Sequence, residues 1–190
     1  MFNEINWEDC YTTGNTPWDR DKPDGQLLKL IEEYKIPPCS VLDVGCGTGV
    51  TGRELARRGF KVKGIDISPT AIESAKNHNT TAEFEVVDFL KTKLDSTFDF
   101  VIDTGCFHYT LDRNFVKRVS NHLGETGLWY TTIGSNEEKK VLPVPFGPPV
   151  HSLEEIIDTV KLHFVVNDIR HYMFSDTGFY FYSVLLTKRP

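Results

Sequence analysis

Three acidic residues and a run of glycines carry most of the chemistry this sequence offers. In Val41-Leu42-Asp43-Val44-Gly45-Cys46-Gly47-Thr48-Gly49 an apolar, β-rich run ends in alternating glycines. Glycine tolerates positive φ and lets a ligand approach the backbone closely, and a helix starting just beyond offers its free N–H groups to a polar ligand. Asp66 follows roughly 20 residues after Gly45, the separation at which doubly wound folds set a carboxylate against ribose hydroxyls. Asp88, just past a third β-rich run, could accept the amino group of a purine. Asp43 lies inside the first run and suits a ligand with a cationic amino group better than one with a pyrophosphate. Gly47-Thr48-Gly49-Val50-Thr51-Gly52 nevertheless satisfies GxGxxG, so an NAD-dependent oxidoreductase is a competing reading. Tight packing of strand against helix, with no ligand at all, is a third.

A second group of reactive side chains stands in Ile102-Asp103-Thr104-Gly105-Cys106-Phe107-His108-Tyr109. This run closes another strand, and the carboxyl ends of strands form the binding edge of an open α/β sheet. His108 could act as general base toward a hydroxyl acceptor or could brace the loop through hydrogen bonds. Asp103 could hold His108 or a ligand amine. Cys106 reads as packing rather than as a nucleophile. The four cysteines, Cys10, Cys39, Cys46 and Cys106, have neither CxxC nor paired-histidine spacing, so neither a metal site nor a disulfide framework is expected.

The elements that must position these groups follow from periodicity. A helix is expected after Asp24 with Leu27, Leu28, Ile31 and Tyr34 on one face, ending before Pro37. Strands are expected over 40–44, 61–66, 83–87, 98–103 and 127–133. A helix follows the glycine turn and stops at Gly59, another is capped by Ser68 with Pro69 behind it, and a third runs from Asp112 to Gly124 with Phe115, Val119 and Leu123 on one face. Ser152 and Glu155 form a capping box, and stretches near 163–174 and 179–187 should pair as a hairpin. The fold class is therefore α/β: a doubly wound, mostly parallel, seven-stranded sheet with helices on both faces and a C-terminal antiparallel hairpin.

The 190 residues fit a single domain over 1–190, with an aromatic N-terminal segment over 1–23 and a proline-rich loop over 135–150 that could shape a substrate site. A formal charge of -6 removes the usual drive toward nucleic acid. The N-terminal residues are acidic and aromatic, and no run of about 18 apolar residues occurs, so a cytoplasmic protein without membrane association is expected.

Leu42 to Gly49 resembles the first motif of class I S-adenosylmethionine methyltransferases, and Gly64-Ile65-Asp66-Ile67-Ser68 resembles their second. The resemblance implies a Rossmann-like methyltransferase fold. It also implies S-adenosyl-L-methionine as cofactor and S-adenosyl-L-homocysteine as product, with Gly45, Gly47 and Gly49 beside the methionyl part and Asp43 near its amino group. Asp66 would hold the ribose, and Ile67, Asp88 and Phe89 would surround adenine. Trp7, Tyr11 and Trp18, in a front loop ahead of the fold, resemble the Trp-rich segment of the thiopurine, thiol/halide and tellurite-resistance methyltransferases. Aromatic faces attract a sulfonium cation and release its neutral product, so Tyr11 and Trp18 are expected to cover the cofactor, Tyr11 standing with His108 and Asp103 as a candidate catalytic residue, whereas Trp7 suits a latch on the fold. The family's similar Asp, Gly, Cys, His run places Asp103 and His108 beside the cofactor. The acceptor is then a small molecule with a soft nucleophile, such as a thiol, halide or metalloid oxyanion. A monomer or weak homodimer is expected, and a non-catalytic S-adenosylmethionine binder is the alternative outside the enzymes.

Overall fold

A computed structural model of the chain describes residues 5–78, 80–137, 147–174 and 178–190. Most of the expected proline-rich loop, and the turn residues 175–177, lie outside the described residues. The contacts divide the chain into two units, Met1–Lys93 and Leu94–Pro190.

The first unit opens with a short helix, α1 (Trp7–Thr13), where a loop was expected. Asn6 caps its start by accepting the Asp9 N–H, and Gly14 in the left-handed region stops it at φ 71°. Helix α2 (Gly25–Glu33) is capped by Asp24, whose side chain accepts the Gln26 and Leu27 N–H groups. Its buried face is Leu27, Leu30 and Ile31, so Leu30 takes the place expected for Leu28, and Tyr34 lies outside. Each such buried side chain contributes about 1.5–3 kcal/mol.

Strands β1 (Ser40–Val44), β2 (Lys61–Asp66) and β3 (Glu83–Val86) pair in parallel, β2 in the middle. Helix α3 (Val50–Arg57) leaves β1 through the glycine turn. Helix α4 (Pro69–Lys76) starts on Ser68, whose hydroxyl accepts the Ala71 N–H, and buries Ala71, Ile72 and Ala75. The last two pack with Phe84 of β3.

In the second unit β4 (Phe98–Asp103) pairs in parallel with β5 (Leu123–Ser135). Between them stand a four-residue helix, α5 (Phe107–Thr110), and α6 (Arg113–Asn121), capped by Asp112. Leu123 is not the end of that helix, as expected, but the start of a strand: the Phe98 N–H donates to the His122 carbonyl, and Leu123 pairs with Phe98. A two-residue strand, β6 (Val150–His151), lies parallel beside the end of β5. Helix α7 (Leu153–Val160) carries the expected capping box between Ser152 and Glu155. The final strands, β7 (Phe164–Met173) and β8 (Tyr180–Lys188), form the expected antiparallel pair, and β8 also pairs antiparallel with β5.

Candidate functional site

The glycine turn of the first unit is tied to the end of β2. The Gly45 and Cys46 N–H groups both donate to the Ile65 carbonyl, at 2.8 and 3.0 Å. Gly47 and Gly49 have φ of 53° and 76°, a region costly for residues with a Cβ. A Cβ on Gly49 would stand 2.6 Å from the Phe84 ring, and one on Gly47 only 2.7 Å from the Tyr11 hydroxyl. The turn is thus backbone pressed on one side by the core and on the other by the N-terminal segment.

Asp66 ends β2 with its carboxylate over this turn. Oδ2 accepts the Gly47 N–H and Oδ1 the Ser68 N–H, both at 2.9 Å. Burial raises its pKa, while the backbone donors of Ser68 and Gly47 oppose the rise. The residue is 7% exposed, and with the Ile67 backbone as a third donor the carboxylate keeps room for about one more. Asp43 is buried in β1, with Oδ2 at 3.3 Å from where a Cβ on Gly52 of α3 would stand. The absence of that Cβ gives the carboxylate its place beneath the first turn of α3, where the helix dipole favours negative charge. Burial, followed by the charges of Asp43 and Asp66, pushes the Cys46 thiol well up, so it stays protonated.

The front aromatics gather in one cluster. Trp18 packs edge-on against Trp7 at 5.3 Å and against Tyr11 at 6.3 Å, and its indole N–H donates to the Tyr11 hydroxyl at 3.2 Å. Trp7, expected as a separate latch, therefore belongs to the same cluster. Burial pushes the Tyr11 phenol far above its ordinary value. Asp19, which sequence reading passed over, accepts the Thr48 hydroxyl at 2.8 Å.

The expected purine contacts separate. Ile67 is 47% exposed just past β2, and Val86 and Leu90 are 45% and 36% exposed near the end of β3. Phe89 departs from expectation: its ring enters the core, and the neighbouring Leu90 takes the outward position. Asp88 is committed to its own turn, with Oδ1 accepting the Leu90 N–H and Oδ2 paired with Lys91 at 3.0 Å.

In the second unit the expected reactive pair is enclosed. Asp103 is fully buried; Oδ1 accepts the Cys106 and Phe107 N–H groups at 2.8 Å each, and Oδ2 the Trp129 indole N–H at 3.3 Å. The carboxylate thereby holds the start of α5 against β5, in place of the expected contact with His108 or an amine. His108 is 4% exposed, and its Nδ1 accepts the Gly134 N–H at 3.3 Å. Burial, with the neighbouring His151, pushes its pKa down to about 3. With Nδ1 occupied and burial opposing protonation, the ring is a poor proton acceptor, unlike the expected base. Among the described residues no group of three or more His, Cys, Asp or Glu side chains could hold a metal ion, and no helix is long and apolar enough to cross a membrane.

With the turn, its acids and its aromatic cover in view, comparison with known proteins is informative. Residues 41–127, from β1 into β5, match the family described as methyltransferase domain. The chain carries a methyltransferase domain. Its class uses S-adenosylmethionine. The 2-heptyl-1-hydroxyquinolin-4(1H)-one methyltransferase of Mycobacteroides abscessus is 40% identical over 98 residues, covering 48% of this chain and 43% of that protein. Probable thiol methyltransferase 2 of Arabidopsis thaliana is 35% identical over 104 residues, 50% of this chain and 46% of the relative. EEF1A lysine methyltransferase 2 of Homo sapiens is 32% identical over 156 residues, 73% of this chain and 66% of the relative. The chain thus spans from under half to about two thirds of the length of these curated relatives. Among solved structures, the Burkholderia thailandensis 1,6-didemethyltoxoflavin-N1-methyltransferase, with bound 1,6-didemethyltoxoflavin and S-adenosylhomocysteine, matches with a TM-score of 0.77 and 16% identity over 96% of this chain and 85% of that one. This likeness is one of fold: the largely parallel, Rossmann-like methyltransferase sheet with a C-terminal antiparallel hairpin.

Proposed function

We propose that this methyltransferase domain binds S-adenosylmethionine over the Gly45–Gly49 turn and passes the methyl group to a small-molecule acceptor. The observation that carries the reading is the charge and lining of the turn. Asp66 accepts the Gly47 N–H of the turn, Asp43 lies against Gly52 just beyond it, and the Tyr11 hydroxyl, bonded to Trp18, stands over Gly47. Acidic groups and aromatic faces favour a ligand bearing an ammonium and a sulfonium, and they disfavour the pyrophosphate of NAD.

The bound cofactor would supply a methyl group already activated by its positively charged sulfur. The protein's part is then alignment and exclusion of water. Asp66 retains room to accept a ribose hydroxyl, and Ile67, Val86 and Leu90 offer exposed apolar surface for a purine. Tyr11, protonated and hydrogen-bonded to Trp18, serves as cover over the turn rather than as a base. His108 and Asp103 act as scaffold: one is neutral with Nδ1 engaged, the other holds three internal donors.

With His108 and Asp103 engaged within the fold and Tyr11 protonated, the acceptor that fits is one needing little deprotonation, such as a thiol, a halide or a metalloid oxyanion. The similarity to a probable thiol methyltransferase supports this class. A protein lysine is the second reading, favoured by the longer match to the human lysine methyltransferase. Incubating the chain with S-adenosylmethionine and a panel of thiols, iodide, tellurite, hydroxylated heterocycles and lysine-bearing protein discriminates between them. Methylated thiol, iodide or tellurite is expected; methylation of protein alone would favour the second reading. Cofactor binding with no methylated product from any acceptor would support the non-catalytic binder.

A further inference from the structure

Glu8 belongs to none of the motifs above, yet its carboxylate reaches a segment distant in sequence. Oε2 accepts the Ser68 hydroxyl at 2.5 Å and the Thr70 N–H at 3.2 Å, and Oε1 accepts the Thr70 hydroxyl at 2.6 Å. Helix α1 contributes no fully buried residue, and these hydrogen bonds are a polar fastening between it and the start of α4. Farther along the same segment, Asp19 accepts the Thr48 hydroxyl. Between the two fastenings lie Tyr11, against Gly47, and Trp18, hydrogen-bonded to Tyr11.

We propose that Glu8 is a positioning residue whose carboxylate clasps α1 to the start of α4, holding Tyr11 and Trp18 over the glycine turn and setting how long the adenosyl ligand stays bound. The inference rests on the cofactor reading above. The partner it grips is well chosen for this purpose. Ser68 caps α4 through its hydroxyl, and its N–H donates to the same Asp66 carboxylate that accepts the Gly47 N–H. The clasp therefore closes on the helix start that already orients the acid expected to hold the ribose. A fastening made of part-buried hydrogen bonds on a short terminal helix can open and reclose without unfolding the unit. The hydroxyls of Ser68 and Thr70 hold the Glu8 carboxyl below its ordinary range, so it is charged and fully accepting at neutral pH.

Opening frees the ligand, and closure follows binding, so losing the clasp should act on dissociation more than on association. Stopped-flow fluorescence of Trp7 and Trp18 with S-adenosylhomocysteine reads both rates. Glu8→Ala should speed dissociation about tenfold, as expected for losing charge-assisted hydrogen bonds, and leave association within about twofold. The unfolding midpoint of the ligand-free chain should hardly move. Thr70→Val, which removes the partner at 2.6 Å and spares the Ser68 cap, should speed dissociation in the same direction, and the double variant should dissociate no faster than Glu8→Ala alone. Glu8→Gln, which keeps a carbonyl acceptor, should restore part of the residence time. If the unaltered chain binds the ligand and neither single variant changes its dissociation rate, the clasp is overturned while the cofactor reading stands. If the single variants lower the unfolding midpoint and leave the rates alone, Glu8 is structural only. Absence of binding by the unaltered chain overturns both.

Discussion

Asp66 in the first unit and Asp103 in the second occupy equivalent places in sequence, each the last residue of a parallel strand, yet they live in different surroundings. Asp66 is 7% exposed and accepts the backbone N–H groups of Gly47, Ser68 and Ile67 around the glycine turn. Asp103 is fully buried and accepts two backbone N–H groups and an indole N–H, all from its own unit. The same side chain at the same kind of strand end borders the glycine turn in one case and is enclosed within α5 and β5 in the other. What separates them is where their donors lie, in a turn for one and in a helix start and a neighbouring strand for the other, which a residue type does not reveal.

The contrast is open to direct attack. Asp103→Ala should cost about 3–5 kcal/mol of unfolding free energy, because the Cys106 and Phe107 N–H groups and the Trp129 indole would be left buried without an acceptor. Chemical denaturation measures this, and a loss below about 1 kcal/mol would remove Asp103 from the scaffold.

The next effect is one of pH. His108 in the folded chain stays neutral down to about 3, against an ordinary imidazole value of 6.5. Between those values the unfolded chain binds the extra proton, so this residue's contribution is complete above 6.5 and is lost as pH falls toward 3. His108→Asn, whose side-chain carbonyl can accept the Gly134 N–H, should flatten the fall of the thermal midpoint across that window. An unaltered curve would mean that His108 does not set it.

Smaller effects belong to the turn. Asp66→Ala should weaken S-adenosylhomocysteine binding by about 1–3 kcal/mol in calorimetry, with much less effect on folding than Asp103→Ala. Gly47→Ala places a methyl group in a left-handed backbone 2.7 Å from the Tyr11 hydroxyl, so affinity should fall by about 1–2 kcal/mol with a change in tryptophan fluorescence. Equal affinity in the Gly47→Ala variant would detach the aromatic cover from ligand binding.

Much of the fold was legible because its signals were local. Strands β2 and β4 ended where alternating and apolar runs ended, and Ser68-Pro69 and Ser152…Glu155 marked helix starts by cap chemistry alone. Helix α1 was missed because it contributes no buried residue and so has no apolar period, although Asn6 and Gly14 were there as caps. Leu123 misled because its spacing from Val119 continued a helical stripe, whereas pairing with Phe98 claimed it for β5. The placement of Asp66 against the glycine turn was readable from spacing, and the gathering of the front aromatics from composition. The enclosure of Asp103, the turn of Phe89 into the core and the grip of Glu8 on Thr70 all depend on contacts between segments far apart in sequence.

The central claim is that the acid-flanked turn accepts an adenosyl amino acid. Calorimetric titration of S-adenosylhomocysteine into the purified, folded chain, with NADH titrated in parallel, tests it. Saturating heat at one site for the first and none for the second is predicted. Heat from NADH alone, or from neither, would contradict the account.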